Sequence, residues 1–180
     1  MNRKFIAFTD FSDGDMNYGD TGITGDYSRG VAATTGASTG GMYAGIVADG
    51  DRCLLIQPIG SDFTPGSITV RVLNDGGLNF TSLQIKADVL MRNDQPRSTS
   101  ISLEYSTDNM TFTPVPGVSM INTPLAATGS DIVLMTAFDR LIPVSIADNT
   151  FVYIRVLSDD NGGAGSRNEI GIDNLKVLAY

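Results

Sequence analysis

Alternation of apolar and polar residues with a period of two is the feature that most constrains this chain. Apolar residues take every second position in Leu83–Val89, and Ile101–Tyr105 and Ile68–Val72 repeat the pattern. A period of two is typical of a β-strand with one buried face and one wet face. No segment shows an apolar stripe of helical spacing, so we expect helix to be confined to a turn or two. Further strand candidates are Lys4–Thr9, Gly41–Val47, Arg52–Gln57, Met110–Val115, Ile132–Ala137, Leu141–Ile146, Thr150–Leu157 and Glu169–Leu178.

Turn-forming residues separate these strands at short intervals. The chain has 180 residues and 20 glycines, and clusters such as Asn74–Gly77 and Asp159–Gly163 stand between the apolar segments. About ten short strands in a chain of single-domain length predict two packed antiparallel sheets or a barrel. We therefore expect one all-β domain over residues 1–180. The Gly/Asp-rich stretch Asp10–Gly41 lacks periodicity, and we expect it to be a long loop running over the surface.

Charge and composition exclude several classes of function. The net charge is −8 and no Lys/Arg cluster reverses it locally, so we expect neither nucleic acid nor a membrane surface as a partner. No stretch has the length of a membrane helix, which predicts no membrane insertion. The lone Cys53 lies in an apolar run and is interpreted as a core residue, with a reactive thiol as the alternative.

Catalysis is not expected. The absence of histidine excludes Ser–His–Asp and Cys–His nucleophiles and the commonest zinc sites. Glu104 and Glu169 are the two glutamates of the chain, and with the aspartates they leave a glycosidase-type carboxylate pair as the open alternative. Glu104 falls on the polar face of a predicted strand, where a solvated glutamate is ordinary.

Three local patterns resemble one family of modules. Leu103–Phe112, which contains Tyr-Ser-Thr-Asp-Asn, resembles a hairpin of secreted bacterial β-sandwich modules, Phe151–Val156 their penultimate strand, and Gly165–Val177, with Ile-Asp-Asn-Leu, their closing strand. With Phe5–Asp13 as an opening strand, the chain resembles the jelly-roll, galactose-binding-like accessory domains of secreted bacterial surface proteins. The resemblance implies a jelly-roll-like, two-sheet antiparallel β-sandwich. It also implies a non-catalytic binding, adhesion or spacer role.

A structural calcium site is a second implication of this resemblance. In such modules an Asp of the closing strand binds Ca²⁺ together with a carboxylate near the first strand. The matching residues here are Asp173, with Asp10 and Asp13 as partners, and capping of a turn is the alternative role of Asp173. The alternation also slips phase at Asp173–Asn174, which predicts a β-bulge. Asp13–Thr24 superficially resembles an EF-hand loop, but Tyr18 stands where its glycine is required, so an EF-hand is rejected.

Carbohydrate binding is the preferred activity, because sugars stack on aromatic rings and hydrogen-bond to neighbouring polar groups. The chain has no Trp. The candidate ligand-binding residues are Tyr18, Tyr27 and Tyr43 in the Gly-rich region and Arg92, Asn93, Asp94 and Arg97 in a polar loop.

Self-assembly is the alternative function, with neighbouring protein subunits instead of a glycan as the partner. A subunit of a surface layer, filament or virion is compatible with the missing Trp and with an extended N-terminal arm. The start of the chain lacks a hydrophobic region of signal-peptide length, so we expect either a mature domain without its signal or a protein used without Sec export. The expected location is extracellular or at the cell surface, or in a virion.

Overall fold

Eleven β-strands and a short 3₁₀ turn, Gly25–Tyr27, make up the regular structure of the computed structural model. The structure describes residues 5–20, 25–47, 49–118, 120–163 and 166–180. The strands are β1 Ile6–Thr9, β2 Gly41–Ile46, β3 Arg52–Gln57, β4 Gly66–Leu73, β5 Phe80–Arg92, β6 Ser98–Ser106, β7 Thr113–Pro114, β8 Ile121–Asn122, β9 Ile132–Ile146, β10 Phe151–Gly162 and β11 Glu169–Ala179. Within the described ranges, no helix is long and apolar enough to cross a membrane.

Two antiparallel sheets share these strands. The six-stranded sheet has the order β1-β4-β10-β6-β7, with β8 also pairing with β6, and the five-stranded sheet has the order β2-β3-β11-β5-β9. The two sheets pack face to face, which confirms the predicted all-β sandwich. Strands β10 and β11 are the middle strands of the two sheets, although both come from the end of the chain.

The main core lies between the sheets and follows from the alternation in the sequence. On β5 the buried residues Leu83, Ile85, Ala87 and Val89 face inward, and on β10 the inward set is Val152, Ile154 and Val156. Complete burial of a side chain of this size contributes roughly 1.5–3 kcal/mol. The intervening residues of both strands consequently point away from the core.

Most strand predictions are confirmed, with three differences. The candidates Ile132–Ala137 and Leu141–Ile146 are one continuous strand, β9, and the short strand β8 was not predicted. The hairpin candidate Met110–Val115 is reduced to β7 because the Asp108 carboxylate accepts the N–H groups of Met110 and Thr111, both at 2.8 Å. Lys4 and Gly165, which belong to predicted segments, lie outside the described residues.

The stretch between β1 and β2 runs over the surface as a loop, and a few of its residues anchor it in the core. Met16 forms an isolated antiparallel bridge with Phe8 and is buried with Phe11 and Phe63 in a second apolar cluster. Further along, Ala32 is buried against the outer face of the five-stranded sheet in a third cluster. The sequence gives no periodic signal here because loop residues, not strands, supply these contacts.

The buried carboxylate of Asp26 holds this loop in place. It is fully buried, and its carboxylate accepts the Ser12 hydroxyl and the Asp13 N–H at 2.9 Å and pairs with Arg29. Burial raises the pKa of Asp26, but the Asp13 N–H, the Ser12 hydroxyl and the Arg29 guanidinium outweigh it and hold that pKa below its ordinary value.

Two local predictions on the five-stranded sheet are confirmed. The pairing of β11 with β5 is irregular between Asp173 and Lys176, and Asn174 has a left-handed φ of 52°, which is the predicted bulge. Cys53 is a buried free thiol, and burial raises its pKa, so it behaves as a core residue.

Gly171 on β11 allows the outer face of the five-stranded sheet to pack closely. A Cβ at this position would lie 2.7 Å from the Leu90 Cβ and 3.3 Å from the Cys53 Sγ. Gly171→Ala is therefore expected to lower the free energy of unfolding by about 1–3 kcal/mol through overpacking. Gly60→Ala is the matched control, because a Cβ there meets nothing within 4 Å. Urea unfolding measures both, and equal midpoints for the two variants would contradict the packing account.

Candidate functional site: an aromatic platform

The outer face of the six-stranded sheet presents aromatic and charged side chains in adjacent rows. On β10, Phe151, Tyr153 and Arg155 alternate with the core residues and are half-buried. In the sheet register Arg71 of β4 is the partner of Tyr153, and Glu104 of β6 is the partner of Arg155. Side chains in such cross-strand pairs lie within contact distance, so five residues from three strands form one surface.

One end of this surface is a cluster of rings around a guanidinium. The Tyr153 ring centroid lies 6.2 Å from that of Phe151 and 6.2 Å from that of Tyr18, which comes from the loop after β1. The Arg71 guanidinium lies 4.3 Å from the Tyr18 ring centroid and 4.7 Å from that of Phe151. These are cation–π distances, so the guanidinium orders the rings that surround it.

The other end is built on Arg155. Its Nε donates to Glu104 Oε2 at 2.9 Å and its Nη2 to the same oxygen at 2.5 Å. The guanidinium also lies 3.6 Å from the centroid of the Phe112 ring, which the β6–β7 hairpin supplies. We name the whole surface the aromatic platform; its members are Tyr18, Arg71, Glu104, Phe112, Phe151, Tyr153 and Arg155.

The hairpin between β6 and β7 also contacts Tyr18. The Tyr18 hydroxyl donates to Asn109 Oδ1 at 3.4 Å, and Asn109 has the left-handed φ of 60° that the hairpin sequence predicts. Burial, followed by the neighbouring Tyr153, raises the pKa of Tyr18 to about 12, although Arg71 opposes the shift. The phenol therefore remains protonated at neutral pH.

The predicted tyrosines are not brought together. Tyr18 belongs to the platform, whereas Tyr27 packs in the second apolar cluster and its hydroxyl donates to the Gly14 carbonyl. Tyr43 packs against the third cluster and donates to the Thr39 carbonyl at 2.9 Å. Of the three predicted tyrosines, only Tyr18 lies on the outer face of the six-stranded sheet.

The predicted polar loop Arg92–Arg97 is largely internal. Arg92 and Asn93 are only 3% and 1% exposed, so a surface ligand cannot reach them. Arg92 Nη1 donates to Glu169 Oε1 at 3.1 Å, and Asn93 Nδ2 donates to the Ala126 carbonyl at 2.8 Å. The polar residue types predicted exposure for Arg92 and Asn93, but in the fold a buried acid and a loop carbonyl partly compensate the burial of these side chains. Asp94 and Arg97 of the same loop are half-buried.

Glu169 is the centre of this internal polar cluster. Its side chain is fully buried, Oε1 also accepts the Ala37 N–H at 2.9 Å, and Oε2 has no hydrogen-bond partner among the described residues. Burial, with a further contribution from Asp94, raises the pKa of Glu169 to about 7. The Ala37 N–H and Arg92 lower this pKa but do not outweigh the burial. Glu169 is in the five-stranded sheet, whereas Glu104, the other glutamate of the chain, is in the six-stranded sheet.

The three predicted calcium ligands are not gathered in one place. The Asp10 N–H donates to Asp15 Oδ1 at 2.8 Å, and Asp13 Oδ2 accepts the Asp26 N–H at 2.9 Å. Asp173 is in the five-stranded sheet, whereas β1 is in the other sheet. In the described part of the chain no group of three or more His, Cys, Asp or Glu is placed to hold a metal ion. The calcium site stays a prediction.

Sequence reasoning missed most of the platform. The period-two pattern of β10 places Phe151, Tyr153 and Arg155 on one face, so the sequence is sufficient to predict that these three side chains share a surface. The neighbours on that face depend on which strands flank β10, and Arg71 and Phe112 come from distant segments of the chain.

Comparisons with known proteins complete the description. No family model and no curated protein matches the chain. Among solved structures, the carbohydrate-binding module TmCBM61 in complex with β-1,4-galactotriose is 12% identical with a TM-score of 0.45, over 75% of each chain. An exo-β-agarase is 10% identical with a TM-score of 0.48, over 89% of this chain and 25% of the agarase. The K3 cleaved adhesin domain of Lys-gingipain from Porphyromonas gingivalis is 12% identical with a TM-score of 0.43, over 84% and 85%.

The first and the third of these structures are a carbohydrate-binding module and an adhesin domain, the kinds of module that the sequence resembles. At such identities and TM-scores they carry no argument about the ligand of this chain.

The pKa of Glu169 predicts a pH dependence of stability. Its folded-state value of about 7 lies above its ordinary value of 4.5, so the folded state holds the proton more tightly than the unfolded state does. The stabilisation from Glu169 is therefore complete below about pH 4.5 and is lost as the pH rises through about 7. Glu169→Gln removes this titrating group, so the difference in the free energy of unfolding between variant and wild type is expected to change between about pH 4.5 and pH 7. Urea unfolding from pH 4.5 to 8 measures it, and a pH-independent difference would contradict the assignment.

Proposed function

We propose that the protein is a non-catalytic carbohydrate-binding module and that the aromatic platform is its binding surface. The observation that carries the proposal is the arrangement of three rings, Tyr18, Phe151 and Tyr153, around Arg71 on one half-exposed sheet face. Phe151 and Tyr153 lie on the outer face because the alternation on β10 buries Val152 and Ile154.

The chemistry of the platform suits a sugar. The C–H face of a pyranose packs on an aromatic ring, while its hydroxyl groups need donors and acceptors close to that ring. Tyr153 and Phe151 supply apolar faces; the Tyr18 hydroxyl, the Arg155 guanidinium and the Glu104 carboxylate supply the polar partners. The ion pair between Arg155 and Glu104 holds both groups in fixed positions, which reduces the entropy lost on binding.

The extent of the platform favours a polysaccharide chain over a single sugar. From Phe151 to Arg155 the strand advances about 13 Å, and the strands β4, β10 and β6 together span about 10 Å. Tyr18 from the loop after β1 and Phe112 from the β6–β7 hairpin extend this area. A surface of this size contacts more than one sugar ring, so affinity is expected to increase with the length of the oligosaccharide.

We further propose a location outside the cell or on its surface, where polysaccharides are abundant ligands. The net charge of −8 supports a neutral glycan over a strongly acidic one, because a polyanion would be repelled overall. Calcium binding is a separate proposal that the platform does not require.

Tyr153→Ala tests the platform directly. Tyr153 contacts rings on both sides, so its removal is expected to weaken binding of a retained oligosaccharide by roughly tenfold or more, as for a central contact residue of an interface. A glycan array identifies the oligosaccharide, and isothermal titration calorimetry gives its Kd for wild type and variant.

Tyr180→Ala is the matched control. Tyr180 is 57% exposed and its hydroxyl donates to Gln84 on the five-stranded sheet, so its loss should leave the Kd unchanged. Equal weakening by both substitutions would contradict the platform as the binding surface. Ordered oligomers in sedimentation velocity, with no glycan retained, would instead favour the self-assembling subunit.

A further inference from the structure

A second surface feature lies on the other side of the sandwich. It is a groove of about 450 Å³ on the outer face of the five-stranded sheet, between the β2–β3 turn and strand β9. We name it the acidic groove; it is lined by Val47, Asp49, Asp51, Asp88, Leu90, Ile132, Val133, Leu134, Asp173 and Asn174. None of these residues belongs to the aromatic platform.

The floor of the acidic groove is apolar. Leu90 and Ile132 are buried in the third core cluster, while Val133 and Leu134 beside them are 43% and 58% exposed. Strand β9 is the edge of its sheet, so no described strand pairs with it beyond this point. Ala32 of the loop after β1 packs on the neighbouring part of the same sheet, and no described residue of that loop lines the groove. The floor therefore remains open to a partner.

The walls of the groove carry four carboxylates. Asp88 and Asp173 are register partners on adjacent strands, and Asp49 and Asp51 belong to the β2–β3 turn. The hydrogen bonds that these carboxylates accept come from uncharged groups. Asn174, for example, donates its side-chain N–H to Asp88 at 2.8 Å and its backbone N–H to Asp173 at 2.7 Å.

These four carboxylates have no ion-pair partner in the described part of the protein, although Lys86 and Lys176 are register partners further along the same two strands. Across the described ranges none of the four takes part in a salt bridge, and the nearby Lys86 pairs with Asp139 at 2.7 Å. Their negative charge also acts on the sheet below. Burial is the largest cause of the raised pKa of the Cys53 thiol, and the charges of Asp173 and Asp51 raise it further. The groove thus combines an apolar floor with walls whose carboxylates form no salt bridge in the described ranges.

We propose that the acidic groove docks a basic, extended polypeptide segment in which Lys or Arg residues alternate with apolar residues. The apolar side chains would cover Val133 and Leu134, and the cationic side chains would reach the four aspartates. A second copy of this chain is disfavoured as the occupant, because each copy carries a charge of −8. The groove and the aromatic platform lie on opposite sheets, so one molecule is able to hold a glycan and a protein segment at once.

Fluorescence anisotropy tests the proposal with three labelled peptides. The first alternates lysine with valine; in the second glutamine replaces lysine, and in the third serine replaces valine. The lysine–valine peptide is expected to bind at least several-fold more tightly than either control, with affinity falling as salt increases. Equal binding of the lysine–serine peptide would show charge attraction alone and overturn the proposal, as would equal binding of the glutamine–valine peptide.

Variants locate the site. Asp88→Asn combined with Asp173→Asn should weaken binding of the lysine–valine peptide by up to roughly tenfold. Leu134→Ser, at an exposed position, should weaken it by a similar factor without loss of folding. Asp75→Asn removes an exposed carboxylate of the β4–β5 loop outside the groove and should change nothing. Equal effects of Asp75→Asn and the double variant would overturn the assignment, and so would concentration-dependent dimerisation of the wild type that Leu134→Ser abolishes.

Discussion

The burial of alternate side chains on β10 and β11 between the two sheets is the constraint on which the rest of the structure depends. Strand β10 pairs with both β4 and β6, and β11 pairs with both β3 and β5. Ile154 and Ile170 from these middle strands are each 1% exposed. A shift of either strand by one residue would turn its apolar set to the outside, so the core fixes the register of both sheets.

That register also determines what each outer face presents. Because Val152 and Ile154 are committed to the core, Tyr153 must point outward, and the pairing with β4 places Arg71 beside it. On the other sheet the same rule turns Asp88 and Asp173 outward as register partners. The two outer faces therefore differ in chemistry: one is aromatic with two arginines and one glutamate, and the other is apolar at its floor and acidic at its walls.

Sequence reasoning predicts the strands well because each carries its own period-two signal, and it predicts the bulge at Asp173 because the phase slips there. It fails where a position depends on distant partners. Arg92 was interpreted as a loop residue at the surface, but the pairing with Glu169 makes it internal. The contacts of Phe11 and Met16 lack a periodic signal, so the anchoring of the long loop was not predicted. The contributions of Arg71 and Phe112 to the platform were missed for the same reason.

The central claim is that the outer face of the six-stranded sheet binds glycan, and a ¹H–¹⁵N NMR titration tests it most directly. With an oligosaccharide retained on the array as titrant, the account predicts that the largest amide shifts occur at Phe151, Tyr153 and Arg155 and at Arg71 across from them. Smaller shifts are expected at Asp88 and Asp173 on the opposite sheet. Shifts concentrated on the five-stranded sheet, with the β10 signals unchanged at saturation, would contradict it.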